Sequence, residues 1–195
     1  GYTPALRALA RLYRDSGDLE ALLRMHEPEV DTTSDPAVLA LKAGRICFEE
    51  LGDMDRAIEY LWRAYRLNPD LVPAREILLQ LLSATGKIRE AYDLLRAQDP
   101  PHSPALLADF HYRLGMIAEA LARQSQDSPL ADEDRALQHY RAALAAQHDH
   151  GLAFERSRRL LVQNHDIPNL IRLLEDQLQH SPAALKATLL VQVGR

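Results

Sequence analysis

Residues 51–69 read LGDMDRAIEYLWRAYRLNP. Gly52-Asp53 is a turn signal, and the Asp stands where a helix-capping side chain is wanted. Ala57 and Ala64 follow at a spacing of 7 residues, in a run otherwise filled by large side chains. Small residues at that interval let two helix backbones approach closely, where leucine would force them apart. Leu61 and Tyr65 fill the space beside the alanines, and Pro69 keeps the helix from continuing. The stretch is therefore half of a helix pair built to be stacked against others.

Working outward, apolar residues recur at three- and four-residue spacing along most of the chain, and no segment alternates with period two long enough for a strand. An all-α protein follows. A capping residue and a proline mark helix starts at Thr3-Pro4, Asp35-Pro36, Ser103-Pro104 and Ser181-Pro182. Gly17-Asp18, Gly52-Asp53 and Gly86-Lys87 supply tight reversals between helices. About eleven helices are expected.

The reversals repeat. Gly17 to Gly52 is 35 residues, Gly52 to Gly86 is 34, and Ala57 to Ala91 is again 34. After each turn a helix begins near an alanine that carries a large residue four positions on: Ala57/Leu61, Ala91/Leu95 and Ala136/Tyr140. This pattern resembles the tetratricopeptide repeat (TPR), a helix–turn–helix unit whose apolar face is covered by the next unit. The resemblance implies one right-handed superhelical solenoid of antiparallel helix hairpins spanning residues 1–195. Its repeats lie at about 3–34, 36–70, 71–102, 104–148 and 150–182, followed by an orphan helix at 183–195. In the fourth, residues 124–134 (QSQDSPLADED) exceed the period and read as an inserted polar loop. In the fifth, His165-Asp166 replaces the Gly-Asp turn. The half repeat at the end implies a fragment of a longer repeat protein.

The family generally binds extended peptides or partner helices in a concave groove lined by the first helix of each pair. Carried over by register, that groove is lined by Arg7, Arg11 and Arg14, then Lys42 with Glu49, then Glu76 and Gln80. It continues with Tyr112, Arg113 and Glu119, then Glu155, Arg156 and Arg159. Gly44 to Gly52 spans 8 residues where the family has seven, so Arg45 is an alternative to Lys42 as the inward residue. Some relatives clamp a terminal carboxylate with paired Lys and Asn on successive first helices. The matching positions here hold Arg7/Arg11, Lys42/Ile46, Glu76/Gln80, Tyr112/Met116 and Glu155/Arg159, so that mechanism has no support. Arginines at spacings of four and three instead suit an acidic segment of a partner, with Glu76 and Glu119 repelling it further along.

Composition agrees with a binding module. Of 195 residues, 47% are hydrophobic and 26% charged, with net charge −5, which is ordinary for a folded protein and gives no basic surface for nucleic acid or anionic membrane. No apolar run reaches the length of a membrane span, and one cysteine, Cys47, allows no internal disulfide. A reducing, cytoplasmic setting is expected. His139, His148, Asp149 and His150 invite a metal reading, but His148 and His150 fall in an inter-repeat turn without a second ligand pair. Cys47 beside Ile46 and Phe48 reads as a buried thiol. Phosphate loops, nucleophile elbows and HExxH are absent, so neither a cofactor nor catalysis is expected. The leading expectation is a protein-interaction scaffold. Its alternatives are the docking or sensing arm of a larger regulatory or enzymatic protein and, with less support from charge, helical-repeat RNA binding.

Overall fold

Asp35 accepts a hydrogen bond from the Ala37 N–H (2.9 Å) ahead of Pro36, and the helix starts where the cap-proline pair predicts. The structure is a computed structural model that describes residues 35–124 and 129–180, with residues 12–13, 15–16 and 21. Eight α-helices lie in the two long stretches: α1 Pro36–Ile46, α2 Met54–Leu67, α3 Val72–Ala84, α4 Ile88–Arg96, α5 Pro104–Gln124, α6 Pro129–Ala146, α7 Gly151–Gln163 and α8 Ile167–His180. Among the described residues of these stretches the count is eight, against about eleven expected for the whole chain; most of 3–34 and all of 183–195, where further helices were expected, lie outside the described residues. Among the described residues there is no strand, and no helix is long and apolar enough to cross a membrane.

Two compact units divide the chain, residues 1–87 and 88–195. In the first, α1 packs on α2 and α2 on α3; in the second, each of α4 to α8 packs on the next. Ala57, Leu61 and Ala64 are wholly buried, as the opening stretch requires. A Cβ added at Gly44 would lie 2.8 Å from Leu61 Cγ and 3.3 Å from the Ala57 carbonyl, so α1 and α2 touch almost backbone to backbone. The same device recurs in α5 and α6, where a Cβ on Gly115 would meet the buried Tyr140 ring at 2.5 Å.

The turns repeat as well. Gly52 and Gly86 have φ of 67° and 76°, and His165 holds the equivalent left-handed conformation at φ 55°, so the substituted turn keeps its geometry. The Lys87 N–H donates to the Leu82 carbonyl (2.8 Å) and the Asp166 N–H to that of Leu161 (2.9 Å), closing both helix ends alike. The first turn differs. Cys47–Leu51 forms a π turn, and the Asp53 N–H reaches back to the Cys47 carbonyl at 2.9 Å. Buried Cys47 thus stands five residues before Gly52, whereas buried Leu82 and Leu161 stand four before Gly86 and His165. The π turn absorbs the extra residue in the Gly44–Gly52 spacing.

One boundary is corrected. Residues 124–134 are not a loop throughout, because α5 runs to Gln124 and α6 already begins at Pro129. Proline suits the first helical turn, and buried Asp132 is paired with Arg135 one turn on and lies 4.0 Å from Arg89 of α4. The insertion therefore lengthens the hairpin, giving helices of 21 and 18 residues.

Because Ala57 and Ala64 have no exposed surface, Ala57→Leu or Ala64→Leu is expected to destabilise the protein by about 1–3 kcal/mol through overpacking. Chemical denaturation checks this; an unchanged midpoint for both variants would contradict the close approach.

Candidate functional site

The residues expected to line a groove fall in both units. In the first, the register of buried positions places Arg45 level with Gln80 of α3 and with Arg159 of α7, counted from Cys47, Leu82 and Leu161. Arg45 is exposed and pairs with Glu49, Nε to Oε1 at 2.9 Å. Lys42 Nζ is buried and makes no hydrogen bond to the described residues. Of the two alternatives, Arg45 is the one whose charged group is open to solvent. Arg7, Arg11 and Arg14 lie outside the described residues.

In the second unit several predicted residues come together around one carboxylate. Glu119, on α5, is only 6% exposed. The Tyr140 hydroxyl of α6 donates to its Oε2 at 3.0 Å, and Arg156 Nη1 of α7 lies 3.3 Å from both oxygens. Arg159, one turn further along α7, donates to Oε1, and Arg123 Nη2 sits 3.9 Å away on α5 itself. A buried carboxylate needs such partners, since an unpaired charge is costly away from water. Burial and the neighbouring carboxylate hold the Tyr140 hydroxyl well above its ordinary pKa, keeping it a donor. Glu119 therefore does not present free negative charge, contrary to the repelling role expected of it; it anchors two guanidinium groups. Glu155, which lines one surface pocket with Arg156 and Arg159, pairs with Arg158 at 2.8 Å.

Tyr112, another predicted residue, lies beside Tyr140 (ring centroids 5.9 Å) and His150 (5.1 Å). His150 caps α7, its Nδ1 accepting from the Ala153 N–H at 3.1 Å, while Nε2 meets Asp109 at 3.2 Å. The histidine that tempted a metal reading is thus a helix cap. Among the described residues no group of three His, Cys, Asp or Glu side chains is placed to hold a metal ion. Cys47 has no exposed surface, and burial pushes its thiol up to about 11, so thiolate chemistry is suppressed.

His139 belongs to another cluster. Its Nε2 lies 2.8 Å from the Tyr92 hydroxyl, and its ring stacks on His111 at 5.8 Å. Burial, with the neighbouring His111 and Arg135, lowers its pKa to about 4, and burial lowers that of His111 too. Sequence spacing hides this cluster, because Tyr92, His111 and His139 come from three helices.

Residues 39–71 match the family model described as Tetratricopeptide repeat. A search of curated proteins returned no match. The fold is similar to that in the crystal structure of MamA, with TM-score 0.55 and 17% identity, covering 92% of this chain and 95% of that one. It is also similar to YrrB, described as a TPR protein with an unusual peptide-binding site: TM-score 0.52, 16% identity, 96% and 90% covered. MamA from Desulfovibrio magneticus RS-1 gives 0.50, 13%, 90% and 92%. The family match is thus confined to residues 39–71, while the similarity in fold to MamA and to YrrB, a TPR protein, extends over nine-tenths or more of the chain.

The lowered pKa of His139 gives a sign. Above the ordinary imidazole value of 6.5 neither state is protonated; between 6.5 and about 4 the unfolded chain takes a proton that the folded chain refuses. Stability is therefore expected to fall on acidification from about pH 7 to about pH 5. Thermal melts across that range should show a smaller loss for His139→Leu than for the parent; identical pH slopes would contradict the assignment.

Proposed function

We propose that the chain is a protein-interaction scaffold that binds a peptide or helix of a partner protein in a concave groove lined by the first helix of each pair. The finer architecture belongs to the same proposal: a right-handed superhelical solenoid, with Arg7, Arg11, Arg14, Arg45, Glu49, Glu76 and Gln80 continuing the groove residues of α5 and α7.

The observation that carries the reading is the character of the groove-assigned side of α5 and α7. Val162 is 47% exposed and Leu152 62%, and both line one surface pocket with Arg156 and Arg159, while Met116, 39% exposed, stands three residues before Glu119 on α5. Large apolar side chains left open next to immobilised charges are what a specific protein interface is made of. The TPR at residues 39–71 and the similarity to YrrB, a TPR protein with a peptide-binding site, support the same direction. In this reading the groove carries out no chemistry, and a larger parent would use it as a docking arm.

A charge placed on the groove should abolish partner retention, whereas one on a second helix should not. Proteins retained by the immobilised chain would be compared with those retained by Met116→Glu and by Leu67→Glu, the latter altering an exposed residue of α2. Loss with Met116→Glu alone is expected. Equal retention by all three would place binding outside the groove.

A further inference from the structure

The chain carries a net charge of −5, yet the α5–α7 face concentrates the opposite sign. Three guanidinium groups, Arg123, Arg156 and Arg159, converge on the one carboxylate of Glu119, leaving two positive charges in excess. The carboxylate that α7 itself contributes nearby, Glu155, is taken up by Arg158. Asp109, earlier on α5, is held by His150.

Geometry leaves these cations able to bind something more. Side-chain exposure is 69% for Arg123, 45% for Arg159 and 30% for Arg156, against 8% for Glu119. A guanidinium has five N–H donors in a planar fork, and the bonds to Glu119 use only one side of it. The buried anion thus fixes Arg156 and Arg159 in place; Arg156 also bonds to Tyr112, while the half-exposed Arg159 keeps donors open to solvent. Fixing them in advance removes part of the ordering cost that a flexible surface arginine would incur on binding. Apolar surface lies alongside at Val162, which lines one pocket with Arg156 and Arg159, and Met116, also open to solvent, stands three residues before Glu119 on α5.

We propose that the α5–α7 face receives an acidic segment of a partner protein, its carboxylates on Arg159 and Arg123 and an apolar side chain against Met116 and Val162. The proposal rests on the groove reading above and names its ligand chemistry. It also moves the acid-binding end to the second unit, onto α5 and α7. Glu119 is the positioning residue: it meets the arginines from within and leaves the partner to meet them from outside. Carboxylate on guanidinium is the match that planar, paired donors make best. Because the outer donors are solvent-exposed, binding is steered by charge and weakens with salt.

The test is selection of a random dodecapeptide phage library on the folded chain, followed by fluorescence anisotropy of the enriched peptides. Arg159→Gln and Arg123→Gln are compared with the parent, and each is checked by its thermal midpoint. Enriched peptides rich in Asp and Glu beside apolar residues are expected, with affinity reduced roughly tenfold by Arg159→Gln, less by Arg123→Gln, and falling with added salt. If Arg159→Gln does not fold, the more exposed Arg123 carries the comparison. Neutral or basic peptides that still lose binding with Met116→Glu would overturn the acidic ligand and leave the groove reading standing. Peptides indifferent to Met116, Arg123 and Arg159, or no enrichment over a control protein, would overturn both.

Discussion

A backbone that comes within contact of a neighbouring helix tolerates no side chain at the crossing, and this constraint organises two of the described hairpins, α1–α2 and α5–α6. Gly44 meets Leu61, and Gly115 meets the Tyr140 ring, each at a distance that a Cβ would violate. The small residue on one helix and the large one on its partner set the separation of the pair, and with it which side of each helix remains open. At α5 and α6 the same crossing has a chemical consequence. The ring that lies against Gly115 carries the hydroxyl that binds Glu119, so packing and charge placement are joined in one side chain.

From there the order runs outward. Tyr140 and Glu119 are buried, Arg156 and Arg159 lie at the margin, and Met116 and Val162 are open to solvent. A carboxylate inside with cations outside is stable because each charge is met, and the excess positive charge falls at the surface where a partner reaches it. The interior of this unit thereby determines the electrostatics of its open face.

Much of the fold was legible because its causes are local. Caps, prolines and left-handed turns act within a few residues, and so Asp35, Asp53, Gly52, Gly86 and even His165 behave as their positions in the repeat imply. The boundary at residues 124–134 was misread because polar composition resembles a loop, whereas Pro129 and the buried pairing of Asp132 favour a helix. The site was legible only in part. Repeat register brings Tyr112, Glu119, Arg156 and Arg159 to one face, but it does not show that Glu119 points inward. That depends on Tyr140, 21 residues away on another helix, which had been read as packing alone. Arg123 was missed although it stands one turn after Glu119. The extra residue before Gly52 was visible as spacing, and only the π turn shows where it goes.

The most direct measurement of this organisation is a double-mutant cycle on the crossing of α5 and α6, combining Gly115→Ala with Tyr140→Leu and reading stability by chemical denaturation. If the methyl group and the ring compete for one space, Gly115→Ala costs markedly less in the Tyr140→Leu background, with a coupling energy of about 1–3 kcal/mol. An equal cost for Gly115→Ala in both backgrounds would contradict the claim that this contact sets the spacing of the helix pair.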